Sequence, residues 1–150
     1  MVLENVRKML KFFQNRPRAC FETAIIRNTQ VTNAWQDNGR VHVEFSLPVL
    51  QEFTNSYGPL HGGAISTIID ELTHIPVWAQ DRSAREMVTS DLSVSFTSAA
   101  FLGEELKIVT KCDKVGKNLG FASAEIFVGN KLVATGKHTL FILSKPLVLE

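Results

Sequence analysis

The chain has 150 residues, of which 45% are hydrophobic and 21% are charged, which predicts one globular domain, residues 1–150, with a substantial core. Its net charge of +1 gives no basic field that would indicate a nucleic-acid partner, and no apolar run reaches the roughly 18–20 residues of a membrane span. Its two cysteines provide neither a disulfide framework nor the C-x-x-C spacing of a zinc site, so we expect no metal and a reducing compartment rather than secretion.

The N-terminal segment, residues 1–20, carries five basic residues and one acidic residue. Apolar residues recur in it at helical spacing, at Val6, Met9, Leu10 and Phe13. This periodicity predicts an amphipathic helix that packs on the domain. A basic, acid-poor N-terminus is also typical of an organellar presequence, although this one contains no serine. Both a cytoplasmic and a mitochondrial location therefore stay open.

Two strands are predicted after this segment. Residues 24–35 are a candidate strand, and residues 41–47 alternate cleanly between apolar and polar side chains. Between them, Asn38-Gly39 is a turn signal typical of a β-hairpin. The sequence therefore predicts a hairpin ahead of the middle of the chain.

One long apolar helix is predicted in the middle of the chain, from Gly62 to about Pro76, where the missing amide of proline should end or kink it. One broad face is apolar, and the opposite face carries small polar residues and Asp70. The Gly62 amide has no partner in the preceding turn, so it can donate to a carbonyl oxygen or an oxyanion. We therefore interpret the Gly62 amide and the Asp70 carboxylate as an active site.

Gly62 and Asp70 are too far apart on one helix to act together. Their separation of eight residues corresponds to roughly 12 Å along an α-helix, so one reacting carbonyl group cannot touch both. If they cooperate, two helices must lie antiparallel across a two-fold axis. This interpretation predicts a homodimer in which Gly62 of one chain lies beside Asp70 of its partner.

The chain after the central helix is predicted to be strand and turn. The candidate strands are residues 88–98, 105–113, 119–128 and 131–143. Hairpin-linked strands build an antiparallel sheet, and about six strands must share one core with the long helix. The predicted fold class is α+β, an antiparallel sheet curled around one central helix, with an N-terminal helix ahead of it.

Several motifs resemble a known family in their order and spacing. They are Asn55…His61-Gly62-Gly63…Asp70, Val88-Thr-Ser-Asp91, Leu102-Gly103-Glu104 and Lys114-Val-Gly-Lys117. Across residues 20–143 the chain resembles the single-hotdog acyl-CoA thioesterases of the phenylacetyl-CoA-thioesterase-like branch. The resemblance implies a hotdog fold, hydrolysis of a fatty or aryl acyl-CoA, and tetramers built as dimers of dimers. It implies no cofactor, because coenzyme A is part of the substrate.

The resemblance also implies roles for individual residues. The Gly62 amide would polarise the thioester carbonyl, with His61 and Asn55 bracing that end of the site. Asp70 of the partner chain would activate water or attack directly, and the Thr89 hydroxyl, where the branch has serine, would help to hold the water. The residues implied to contact the acyl-CoA are Gly63, Phe96, Thr97, Ser98, Ala99, Ala100, Phe101, Lys114, Val115, Gly116, Lys117, Asn118 and Leu119.

Two alternative functions stay open at this point. A hotdog hydratase or dehydratase also pairs a histidine with an acid, so His61 and Asp70 could serve that reaction, although the His-Gly-Gly helix entry favours hydrolysis. A non-enzymatic acyl-CoA binder is the other, and the absence of a DNA-binding segment in the sequence disfavours it. His74 and His138 lack any spacing typical of a base or a metal site, and we interpret them as structural. The aromatic residues expected to line an acyl tunnel are Phe53, Tyr57, Trp78 and Phe96.

Overall fold

The computed structural model describes residues 1–148. Its elements in chain order are helices α1 (Val2–Gln14) and α2 (Thr23–Asn28), strands β1 (Gln30–Asp37) and β2 (Arg40–Pro48), helix α3 (Gly62–Gln80), and strands β3 (Arg85–Phe96), β4 (Glu105–Val115), β5 (Leu119–Val128) and β6 (Lys131–Pro146). A short 3-10 turn, Gln51–Phe53, precedes α3. The strands form one antiparallel sheet in the order β1-β2-β4-β5-β6-β3. None of the described helices has the length and apolarity needed to cross a membrane.

Helix α3 packs against the sheet and supplies the centre of the core. Ile69 and Leu72 of α3 are fully buried in one apolar cluster with Phe45 of β2 and Ile108 of β4. Gly136 of β6 permits this close packing, because a Cβ at that position would lie 2.8 Å from Cγ2 of Ile69. The predicted fold, a sheet curled around one long helix with an N-terminal helix ahead of it, is confirmed.

The N-terminal helix packs on the domain as its periodicity predicts. Its buried side chains are Val6, Met9 and Leu10. Farther along it, the Phe13 ring stacks on the Trp78 ring of α3, with centroids 4.9 Å apart. The helix ends at Gln14 rather than extending to residue 20, because Pro17 cannot continue it.

One prediction about local structure is wrong, and another is wrong in part. Residues 24–35 were expected to form a strand, but their first part is helix α2, and β1 begins only at Gln30. The adjacent buried pair Ile25 and Ile26 resembles a strand in sequence, yet both side chains are buried from a helix of six residues. Pro76 does not end α3, as one form of the prediction has it, because the helix continues to Gln80. Burial of Ile75, Pro76, Val77 and Trp78 offsets the roughly 3 kcal/mol that an interior proline costs.

Strand β3 forms one edge of the sheet. It pairs with β6 along one side, with a bulge between Thr89 and Asp91, and it pairs with no strand of residues 1–148 on its other side. Val88 and Phe96 on this strand are exposed. An edge of this length presents a row of backbone groups to which another strand can pair.

Candidate active site

The start of α3 leaves the Gly62 backbone amide without a hydrogen-bond partner among the described residues. His61 immediately precedes the helix, and its Nδ1 accepts the Gly63 amide at 2.7 Å. The Gly62 amide donates no hydrogen bond to any atom within residues 1–148. Gly62 therefore has the geometry that its predicted role as a donor requires, whereas the Gly63 amide is occupied. His61 braces the helix entry by capping it.

Asp70, Thr89 and His138 come together from α3, β3 and β6. The Thr89 hydroxyl donates to Asp70 Oδ1 at 2.6 Å. His138 Nε2 lies 3.3 Å from the same Asp70 oxygen and 3.0 Å from Thr89 Oγ1. The bulge in β3 begins at Thr89, and such bulges re-aim side chains beside functional sites. The predicted base and the predicted hydroxyl thus share one polar cluster, and His138 joins them.

Thr73 holds His138 from the other side of its ring. The Thr73 hydroxyl lies 2.6 Å from the Ile69 carbonyl oxygen and 2.7 Å from Nδ1 of His138, so it fixes the orientation of the imidazole ring. Burial, and after it the nearby His74 ring, lowers the pKa of His138 to about 4. His138 is therefore a neutral imidazole near neutral pH.

His74 closes the polar cluster toward the end of α3. Its Nδ1–H donates to the Asp70 carbonyl at 2.7 Å, its ring centroid lies 5.2 Å from that of His138, and burial lowers its pKa. Ligand atoms of Asp70, His74 and His138 lie within 4.8 Å of one another, close enough to share a metal ion. Nδ1 of each histidine is already hydrogen-bonded, to the Asp70 carbonyl and to the Thr73 hydroxyl, so an ion would contact these rings only through Nε2.

Residues 96–101, implied to contact acyl-CoA, lie beside the start of α3. The Leu60 amide donates to the Ala100 carbonyl at 2.7 Å, which ties this segment to the chain just ahead of the helix. At the end of β3, the Phe96 ring lies 3.4 Å from the position that a Cβ of Gly62 would take. This implied binding segment and the free Gly62 amide therefore occupy one region of the surface.

Residues 114–119, the other segment implied to contact acyl-CoA, form the turn between β4 and β5. Arg85 donates to the Gly116 carbonyl at 3.2 Å, and its guanidinium also bonds the carboxylate of Asp81, which follows the last residue of α3. This turn therefore lies at the end of α3, whereas residues 96–101 lie at its start. The helix is roughly 28 Å long, so one chain does not bring the two segments together.

Asn55 organises the loop that leads into α3. Its side-chain Oδ1 accepts a hydrogen bond from the Tyr57 backbone amide at 2.8 Å, and its backbone amide donates to the Pro59 carbonyl at 2.8 Å. The first of these two bonds closes an Asx turn. Asn55 therefore braces the entry to the helix through the backbone of the loop, and its side chain is directed to that loop rather than to Asp70.

An apolar cavity of about 460 Å³ opens beside the start of α3. Its lining includes Phe21, Ala24, Ile25, Phe53, His61, Gly63, Ala64 and Thr67. Of the aromatic residues expected to line an acyl tunnel, Phe53 lines this cavity, whereas Tyr57 and Phe96 are exposed. Trp78 is buried beneath α1. The contribution of α2 to this cavity was not predicted from the sequence.

Sequence reasoning missed three members of the polar cluster, namely His74, His138 and Thr73. His74 and His138 were interpreted as structural, and Thr73 belongs to the small polar residues of the helix, to which no role was given. His138 and Thr73 are buried and bonded to each other. They are 65 residues apart, so no local motif joins them. The available signal was the alternation of β6, in which His138 shares the inward face with buried Leu140 and Ile142.

Comparisons with known proteins agree with this architecture. A sequence model described as the thioesterase superfamily matches residues 57–135. Human acyl-coenzyme A thioesterase 13 is 34% identical over 121 residues, which cover 79% of this chain and 82% of the human protein. The crystal structure of zebra fish thioesterase superfamily member 2 superposes with a TM-score of 0.81 at 24% identity, over 95% of this chain and 99% of that one. A hypothetical thioesterase from Streptococcus pneumoniae, solved with coenzyme A, gives a TM-score of 0.70 at 21% identity, over 81% of this chain and 90% of that one.

Proposed function

Because the chain belongs to the thioesterase superfamily and is a thioester hydrolase, we propose that it hydrolyses a fatty or aryl acyl-CoA to the free acid and coenzyme A. One observation carries this proposal: Asp70, bonded to Thr89 at 2.6 Å, stands on the helix whose first amide, that of Gly62, is free. A positioned carboxylate and an unpaired amide are the base and the oxyanion donor that thioester hydrolysis needs. The name of the human relative and the coenzyme A in the S. pneumoniae structure support the choice of substrate.

In the proposed mechanism Asp70 removes a proton from water, or attacks the carbonyl itself. Thr89 binds Oδ1 of Asp70 and so fixes the carboxylate, which leaves the second oxygen to meet the water. A proton on His138 is unfavourable, because the pKa of this buried imidazole is about 4. In the proposed step the water oxygen bonds to the thioester carbonyl carbon while Asp70 holds the proton taken from the water, and the C–S bond then breaks. The proton passes from Asp70 to the leaving thiolate of coenzyme A, whose basicity resembles that of cysteine.

The site requires a second chain in this proposal. Strand β3 is an unpaired edge within the described residues, and antiparallel pairing with β3 of a second copy would satisfy its backbone groups. A two-fold axis at this edge sets the two α3 helices antiparallel. Gly62 of one chain then approaches Asp70 of its partner. The same rotation carries residues 96–101 of one chain toward the turn at residues 114–119 of the other.

The substrate has a place along this shared site. The thioester carbonyl accepts the Gly62 amide, and the acyl group enters the cavity of about 460 Å³ that opens beside the same helix turn. At the nucleotide end, Lys114 and Lys117 meet phosphates as point charges, and Gly116 lets the backbone approach closely. An apolar cavity and a basic turn match the two ends of an acyl-CoA molecule.

A dimer of dimers has its own support on the outer face of the sheet. Phe141 of β6 lies opposite Leu119 of β5 and opposite Val88 of β3, and all three side chains are exposed. Phe121, also exposed, extends this group along β5. A cluster of exposed large apolar side chains is typical of a surface that a partner covers. We assign this face to the contact between two dimers.

The first test replaces Asp70 with asparagine. Asp70→Asn should lower kcat by about 10²- to 10⁴-fold with little change in KM, because the carboxylate acts on the water in the transition state. Release of free thiol from a panel of acyl-CoA chain lengths and phenylacetyl-CoA measures both the rate and the acyl preference. Unchanged turnover in Asp70→Asn, with acyl-CoA still bound, would mean that the protein uses another base or only binds its ligand.

The second test examines the shared site directly. Gly62→Pro removes the donor N–H at a helix position that proline tolerates, and Gly62→Ala is its matched control, because it keeps the N–H and meets only the Phe96 ring at 3.4 Å. Mixing Asp70→Asn with Gly62→Pro chains should restore about a quarter of wild-type activity, since half of the random dimers carry one intact site of two. No recovery, with mixed dimers shown to form, would refute the two-chain site.

A further inference from the structure

Charge is distributed unevenly along the chain. Residues 1–27 carry six Lys or Arg and two Glu, whereas residues 28–150 carry ten Lys or Arg and thirteen Asp or Glu. The N-terminal part is therefore +4 and the remainder is −3, and the net charge of +1 hides the difference. Such asymmetry indicates a local attraction for an anionic partner.

Helices α1 and α2 gather these cations on one surface. Arg7 and Lys11 of α1 and Arg27 of α2 are exposed and line one open cleft, and none of the cleft's described lining residues is acidic. The orientation of α1 is fixed, because its opposite face, with Val6 and Met9, is buried in the core. The basic side chains therefore cannot turn away from this surface.

A second, smaller cavity extends the same surface. Arg27 lines it as well, together with Arg16 and Arg18. Its acidic lining residues are Glu22 and Glu71, and burial raises the pKa of Glu71 to about 7, so this group carries only part of its charge near neutral pH. The surface keeps a net positive charge. We define the basic face as Arg7, Lys11, Arg16, Arg18 and Arg27.

Phe21 adds an apolar group to the basic face. Its side chain is 85% exposed and lines the apolar cavity at the start of α3, and it follows Cys20, which lines the second cavity of the basic face. The Phe13 ring, in contrast, is covered by Trp78. One exposed ring among cations suits a membrane interface better than a single-stranded nucleic acid, whose bases need several aromatic platforms. We propose that the basic face docks the protein on an anionic phospholipid bilayer, with Phe21 among the headgroups.

The test uses vesicles of phosphatidylcholine, with and without about 30% phosphatidylserine, at about 50 mM salt, where surface charges are weakly screened. The wild-type protein should co-sediment with the anionic vesicles only. Each cation near such a surface strengthens binding by about fivefold. The triple variant Arg7→Gln, Lys11→Gln, Arg27→Gln should therefore bind these vesicles on the order of 100-fold more weakly.

The matched control is Lys107→Gln, Lys137→Gln, Lys145→Gln, which removes three exposed cations from β4 and β6. It has the same net charge as the first triple variant and should bind vesicles like the wild type. Hydrolysis of a short-chain acyl-CoA should be equal in both variants, which shows that both are folded. Equal vesicle binding by the two variants, no preference of the wild type for anionic vesicles, or tighter binding to an oligonucleotide at equal phosphate concentration would overturn the proposal.

Discussion

Replacing Glu71 with glutamine should stabilise the protein above pH 7 and have much less effect at pH 5. Glu71 follows Asp70 on α3 and lines a small cavity with Phe13 and Ile26. Burial first, and then the charges of Glu22 and Asp70, raise the pKa of Glu71 from 4.5 to about 7. The fold therefore prefers the protonated acid, and glutamine resembles that form in shape and in charge.

The sign and size of the effect follow from the two pKa values of Glu71. The unfolded chain loses this proton near pH 4.5, whereas the folded chain keeps it to about pH 7. The free energy of unfolding therefore falls as the pH rises between these two values, and above pH 7 the loss is complete. The difference in pKa corresponds to roughly 3 kcal/mol. Because the side chain keeps some access to solvent, screening reduces this value. We expect Glu71→Gln to gain about 1–2 kcal/mol at pH 8 and under about 0.5 kcal/mol at pH 5.

Urea unfolding at pH 5, 6, 7 and 8 measures this gain, with the protein concentration held constant because assembly contributes to stability. Glu125→Gln is the matched control, since Glu125 is an exposed residue of β5. Its free energy of unfolding should differ from the wild type by less than about 0.5 kcal/mol at every pH. A gain for Glu71→Gln that is independent of pH, or equal to that of the control, would refute the reasoning.

Three further predictions concern the polar cluster and the core. Thr89→Val should lower kcat at least about tenfold in steady-state kinetics, because valine lacks the hydroxyl that donates to Asp70. Thr89→Ser keeps this hydroxyl and should stay active. An equal loss of activity in both variants would contradict this role of Thr89. In the Glu71→Gln background, stability should fall by about 3 kcal/mol through His138 as the pH drops from 6.5 to 4, because the unfolded chain binds a proton that the buried His138 ring does not. In urea unfolding, His138→Gln should reduce this slope and leave the smaller part due to His74, whose pKa burial also lowers. Gly136→Ala should cost about 1–3 kcal/mol in thermal unfolding, because its Cβ would lie 2.8 Å from Ile69; an unchanged Tm would count against this packing.

Much of the fold was predictable from the sequence because its signals are local. The alternation of β2 and the regular turns between β4, β5 and β6 are properties of neighbouring residues. Two errors arose where tertiary packing overrides such signals. Ile25 and Ile26 are buried together from one helix, although adjacent apolar residues resemble a strand. Pro76 stays inside α3 because the turn that contains it is buried.

The candidate site likewise contains residues whose roles show in the local sequence and residues that come together only through tertiary packing. The helix entry at Gly62 and the lone acid at Asp70 belong to one helix, so their spacing shows directly in the chain. His138 and Thr73 meet only after α3 packs on β6, with 65 residues between them. No periodicity links such a pair, and only the inward position of His138 on its strand indicated that its ring needs a buried hydrogen-bond partner.

Strand β3 links assembly to catalysis in the proposed function. Along one edge it pairs with β6 and brings Thr89 to Asp70, and its other edge is unpaired within residues 1–148. Side chains alternate along a strand, so a slip of one residue would turn Thr89 to the opposite face of the sheet. The register of this strand therefore sets which side chain meets the carboxylate. In the dimer that we propose, the unpaired edge of β3 pairs with the partner chain, and the partner then supplies the Gly62 amide to the site that contains this chain's Asp70.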